Sequence, residues 1–130
     1  MRKVAGCLVK LGEKFLLVKR SKTDIKRPGL WEMPAGRVEE DETPEEGAIR
    51  ELKEETNLDP KSIKLFGTHE VKTENDHKTF YCYLVEPTNQ NIKLSFEHTD
   101  FQWGTRKEAL NTIPHNPLHH TYHFLKKFHI

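Results

Sequence analysis

The sequence predicts an α/β fold in which a mixed β-sheet lies between helices. Three observations point there. Runs rich in Val and Leu recur between turn residues, a central stretch carries a complete helix start signal, and two more helical patterns follow near the end. At 130 residues the chain is expected to form one domain, residues 1–130, large enough to bury a proper core.

Taken in order, "KVAGCLVK" and "KFLLVKR" read as two strands joined by the turn "LGE". "SKTDIKRPG" is a polar, basic loop. "LWEMP" is a short strand closed by Pro34, and "AGRVEEDE" is a loop pivoting on Gly36. A helix then starts with Thr43 as N-cap, Pro44 at the first helical position and Glu46 completing a capping box. Ala48, Ile49 and Leu52 give it an apolar stripe, and Asn57 and Pro60 end it. "SIKLFGTHEVKT", "KTFYCYLVEP", "NIKLSF" and "DFQWGT" follow as strands. "RKEALN" is a short helix, and "NPLHHTYHFLKKF" a longer one with Leu118, Tyr122 and Leu125 inward.

The formal charge of +1 conceals an asymmetry, because ten of the twenty acidic residues fall between Glu39 and Asp59. Near-neutrality without a basic block argues against a binder of polymeric nucleic acid. Cys7 and Cys82 lie far apart in apolar runs, which predicts reduced core thiols and a reducing compartment. No apolar run approaches 18 residues, so a soluble, cytoplasmic protein with no membrane contact is expected. His115, His119 and His123 fall at i, i+4 and i+8, the spacing of a stripe on the last helix. Two such histidines can bind zinc, but no acidic or thiol partner is near in sequence, so a partly exposed polar face is the better reading.

The acidic segment poses a physical problem. In "RELKEETNL", Glu51, Glu54 and Glu55 sit at i, i+3 and i+4 on one helical face, where like charges cost roughly 0.2–0.5 kcal/mol a pair. They also crowd the C-terminal half, where the helix dipole favours cations. Carboxylate and carbonyl oxygens are hard ligands suited to Mg²⁺ or Mn²⁺, and a divalent ion would answer the charge.

From Gly36 the chain runs Gly36, five residues, Glu42, seven residues, Arg50-Glu51-Leu52, one residue, Glu54-Glu55, then two positions before Leu58. This resembles the signature of the Nudix hydrolases, which cleave a nucleoside diphosphate linked to another moiety. Eight of its nine defined positions match; Asn57 stands where the family has glycine. The resemblance implies a Nudix-type α/β/α sandwich and a Mg²⁺ cofactor, with Mn²⁺ as a substitute. It implies Glu51, Glu54 and Glu55 as metal ligands, joined by the Ala35 carbonyl and Glu97. Arg50 would orient the glutamates and Glu42 would edge the site. Glu51 is the first candidate for general base and Glu97 the second.

Substrate contacts implied by the resemblance are Arg20 for phosphate, with Lys19 and Arg37 as weaker candidates. Trp31 is read both as a core residue and as a ligand contact. "LWEMPAGRVEEDETPEE", "HKTFYCYLVE" and "IPHN" are similar to segments of the MutT-like branch, which converts nucleoside triphosphates to monophosphate and pyrophosphate. Asn116 is the resulting candidate for reading a purine edge, and a helix N-cap is its structural alternative. An ADP-ribose or nucleotide-sugar pyrophosphatase is the alternative enzyme. A non-catalytic nucleotide-binding domain is the remote one, disfavoured because the four box carboxylates are intact.

Overall fold

The computed structural model describes residues 2–128. Strands β1 (Arg2–Leu11), β2 (Lys14–Arg20), β3 (Trp31–Glu32) and β4 (Ala35–Arg37) precede helix α1 (Pro44–Thr56). Strands β5 (Pro60–Lys72), β6 (His77–Pro87) and β7 (His98–Thr105) follow, then helices α2 (Arg106–Thr112) and α3 (His120–Lys127). The sheet runs β3-β2-β1-β6-β5, with β4 paired to β1 and β7 to β2. β1 and β6 are parallel and the other pairs antiparallel, so the sheet is mixed.

Alternation along the central strands divides the core between two faces. Cys7 and Val9 of β1 and Leu16 of β2 meet Ala48 and Leu52 of α1. Leu8 of β1 and Phe15 and Leu17 of β2 meet Ala109 of α2 and Phe124 and Leu125 of α3. Helices therefore cover both faces, as expected. Cys7 and Cys82 are buried free thiols.

The start of α1 forms as its sequence requires. The Thr43 hydroxyl accepts from the Glu46 amide, and the Glu46 carboxylate accepts from the Thr43 amide. Asn57 ends the helix in the left-handed region at φ 68°, so asparagine replaces the usual glycine through the same conformation.

Three expectations need correction. Ala35, Gly36 and Arg37 are not loop but strand β4, because β1 offers an open edge at Val4, Ala5 and Gly6. Gly6 permits that approach: a side chain there would lie 2.7 Å from the Ala35 methyl and from the Phe80 ring. "NIKLSF" forms no strand. It runs past the end of α1, where the Lys93 and Ser95 amides donate to the Thr56 and Glu55 carbonyls that the helix leaves unpaired. The last helix begins only at His120, so Leu118 lies in a turn and is 57% exposed. The histidines thus do not share one helix: His115 lies before it, His119 is its N-cap and His123 stacks on His69.

At Asn57 the positive φ makes a direct test possible. Asn57→Ala is expected to lose about 1 kcal/mol of stability, since alanine resists the left-handed region, while Asn57→Gly should match or exceed the parent. Urea unfolding midpoints check both, and an alanine variant as stable as the parent would contradict the account.

Candidate active site

The acidic face of α1 is held by one cation. Arg50 Nε and Nη2 donate to the two oxygens of Glu42 at 3.1 and 2.7 Å, a bidentate pair. Its Nη1 reaches Glu51 Oε1 at 2.9 Å and Glu54 Oε2 at 3.3 Å, and Nη2 also donates to the Arg37 carbonyl at 2.9 Å. Arg50 therefore ties the loop before the helix, the end of β4 and two helical glutamates into one geometry. Its single charge is shared among several carboxylates.

Gly36 lets the sheet come against those carboxylates. A Cβ at this position would overlap the Glu51 carboxylate. Its φ is not in the left-handed region, so the requirement is space rather than backbone conformation. The β4 backbone beside Ala35 and Gly36 consequently lies directly on Glu51.

Deeper in the site, Glu55 is 2% exposed and its Oε1 has no hydrogen-bond partner. Burial raises its carboxyl well above the ordinary value of 4.5, and the neighbouring Glu51, with Glu32 and Glu97, raises it further. A buried carboxyl with one oxygen left without a hydrogen bond, set among like charges, is what a cation site requires, so these residues fit a divalent ion. Glu97 is half-exposed and approaches Arg20 Nη2 at 3.9 Å. The backbone contact between Ser21 and Glu97 fixes that loop beside β2.

Beneath Glu55 lies a buried polar axis that sequence reading missed. Glu32 on β3 is 2% exposed and accepts from Arg20 Nη1 at 2.8 Å, with Arg27 at 3.2 Å from its other oxygen. His98 Nε2, wholly buried, stands 3.5 Å from Glu32 and 3.8 Å from Glu55. Burial alone would raise the Glu32 carboxyl, but His98 and the Arg27 and Arg20 guanidinia outweigh it and hold it below 4.5. Two buried glutamates are thus driven in opposite directions by their neighbours. The signal for Glu32 was present as a charged residue inside the apolar strand "LWEMP"; His98 carried none beyond adjacency to Glu97.

Gly36, Glu42, Arg50, Glu51, Glu54, Glu55 and Glu97 gather along one face of α1, while Leu52 and Leu58 are core residues that seat the helix. Arg20 is committed to Asp24 and Glu32. Arg37 is exposed, with no ion pair among the described residues. Trp31 packs against the core with Lys19 Nζ 5.9 Å over its ring. Asn116 is exposed; its Oδ1 accepts from the Leu118 amide, so it caps a turn ahead of α3 rather than the helix itself.

Comparison with known proteins identifies the family and the fold. The pattern of the NUDIX domain family matches residues 1–125. The chain is 34% identical over 71 residues to an 8-oxo-dGTP diphosphatase of Escherichia coli K12, covering 55% of each chain. It is 33% identical over 106 residues to a MutT-like protein of Streptomyces ambofaciens, covering 82% of this chain and 64% of that one. The chain thus spans little more than half the length of these curated relatives. A crystal structure of a MutT protein from Methanosarcina mazei Go1 superposes with a TM-score of 0.80 over 97% of this chain and 91% of that one, at 24% identity, and shares its fold.

The opposed carboxyls predict a particular pH dependence of stability without divalent ions. Glu55 has a raised folded value, so its contribution is complete below 4.5 and is lost as pH climbs through that raised value. Glu32 has a lowered one, so its contribution is present above 4.5 and is lost as pH falls through it. In chelator, Glu55→Gln should flatten the decline above pH 4.5, and Glu32→Gln should flatten the decline below it. Denaturant midpoints across pH read both slopes; wild-type slopes in both variants would refute the assignment.

Proposed function

The chain belongs to the NUDIX domain family, and from that premise we propose that it hydrolyses a nucleoside triphosphate to monophosphate and pyrophosphate with Mg²⁺. The observation that carries this reading is the buried carboxyl of Glu55, one oxygen of which has no hydrogen-bond partner, beside the Glu51 carboxylate that lies against the β4 backbone at Gly36. A site made only of oxygen donors suits Mg²⁺, and Mn²⁺ as its substitute. Glu51, Glu54, Glu55, Glu97 and the Ala35 carbonyl would hold the ion. When bound, it supplies neutralisation of the diphosphate oxygens and a water acidified for attack.

The protein's own groups do the rest. Glu51, fixed by Arg50 on one side and Gly36 on the other, takes the proton of the attacking water. Glu97, on a half-exposed loop held at Ser21, is the alternative base. Arg37 contacts phosphate, its guanidinium being free of ion pairs among the described residues. Arg20 acts instead as a positioning residue: it holds Glu32 directly and steers Glu97. Asn116 keeps its amide nitrogen available for a purine edge, since only its oxygen is engaged by the turn. The partner is a small nucleotide. No helix among the described residues is long and apolar enough to cross a membrane.

Purified protein assayed with Mg²⁺ against canonical and oxidised nucleoside triphosphates and ADP-ribose, with every product identified, tests this reading. Monophosphate plus pyrophosphate is the expected outcome; cleavage of ADP-ribose alone would move the protein to the nucleotide-sugar reading. Glu51→Gln should lower kcat by about 10²–10⁴-fold. If Glu97 is the base instead, the larger loss will fall on Glu97→Gln. Glu54→Gln should weaken divalent binding, and near-native turnover at saturating Mg²⁺ would refute its role as a ligand.

A further inference from the structure

Next to the acidic site, along β4, lies a cavity of about 330 Å³. Its walls carry five cationic side chains, Arg2, Lys26, Arg27, Arg37 and Lys78, against two carboxylates, Glu32 and Asp76. Asp76 is taken by Arg2 at 2.6 Å and Glu32 by Arg27 at 3.2 Å. Lys26, Arg37 and Lys78 have no ion pair among the described residues; with Arg37 given to the triphosphate, Lys26 and Lys78 leave the cavity a surplus of two positive charges. Lys78 is half-buried; burial and the repulsion of Arg2 press its ammonium below the ordinary value. The buried His120 also lines this space, and its Nε2 has no hydrogen-bond partner.

A neutral base does not answer these features. The one ring on the cavity wall, His120, is already stacked on Phe80 at 4.0 Å and on His119 at 4.3 Å. Asn116 does not line the cavity. A bound cation fits no better, although Glu32, His119 and His120 bring ligand atoms within 4.8 Å of one another. The His119 Nδ1 accepts from the Thr121 amide, which leaves its proton on the Nε2 that would have to coordinate, and Arg27 already faces the Glu32 oxygen. A doubly charged, multiply accepting phosphate satisfies the surplus charge and the orphaned imidazole together.

We infer that this cavity is a subsite for a second phosphate, carried by the substrate away from its scissile diphosphate. The preferred substrates are then nucleoside 5′-triphosphates phosphorylated also on the ribose. The inference rests on the triphosphate reading and deepens it. Because Ala35, Gly36 and Arg37 form both the cavity wall and the strand against Glu51, one ligand can span the two places.

The test compares ATP with adenosine 5′-triphosphate bearing a 2′- or 3′-phosphate, at low salt with Mg²⁺. The ribose phosphate should raise kcat/KM roughly ten- to a hundredfold, as charge-assisted contacts do, and rising NaCl should erode the gain. Lys78→Met should bring the ratio of the two substrates toward one. Lys26→Ala, on an exposed loop position where folding is not at stake, should lower the ratio in the same direction. Equal kcat/KM for parent and phosphorylated substrate overturns the subsite and leaves the triphosphate reading intact. If neither nucleotide is cleaved, that reading falls instead. Calorimetry in EDTA then decides the subsite: adenosine 3′,5′-bisphosphate must bind at least about tenfold tighter than AMP, and equal affinity overturns it. Inorganic phosphate that binds with Lys78-dependent affinity while the ribose phosphate brings no gain would likewise overturn it, as a site for the free anion.

Discussion

Seating α1 on the sheet places a carboxylate-bearing helix face against a backbone, and the rest of the structure is arranged around that contact. Glu51 can lie on β4 only because position 36 has no side chain. β4 can lie there only because Gly6 lets it close onto β1. Arg50 then fixes the outer carboxylates by reaching Glu42, Glu51, Glu54 and the Arg37 carbonyl at once. Two glycines and one arginine thus hold the acidic face in register with the strand. What they leave unanswered is Glu55, whose buried oxygen has no partner.

Glu32 and Glu55 show how environment assigns different states to the same side chain. Both are buried and both stand near His98. Glu32 has two guanidinium partners, which favour its ionised form; Glu55 is buried among carboxylates, which favours its protonated form. The Arg20–Glu32–His98 axis therefore forms a buried polar floor beneath the acidic face. Arg20 belongs to this floor, which is why its guanidinium is mostly shielded from solvent.

Much of this was legible in the sequence where local chemistry decides. The capping box at Thr43, the left-handed Asn57, the Val- and Leu-rich runs of β1 and β2 and the alternation of β6 follow from side chains acting within a few residues. The grouping of Glu51, Glu54 and Glu55 needed only helical spacing. What escaped depends on distant partners. β4 is a strand because β1 provides an edge, and residues 91–96 are not one because the end of α1 captures their amides. Leu118 looked inward on a helix that starts two residues too late for it. Glu32, Arg27 and His98 acquire their roles only when β2, β3 and β7 bring them together.

The central claim is that Glu55 is held protonated by burial and like charges until a divalent cation occupies the acidic site. Calorimetric titration of the metal-free protein with Mg²⁺, repeated at neutral pH in two buffers of different ionisation enthalpy, tests it most directly. The account predicts binding accompanied by proton release, seen as a buffer-dependent enthalpy that disappears in Glu55→Gln. Binding with no proton released, or the same release from Glu55→Gln, would contradict it.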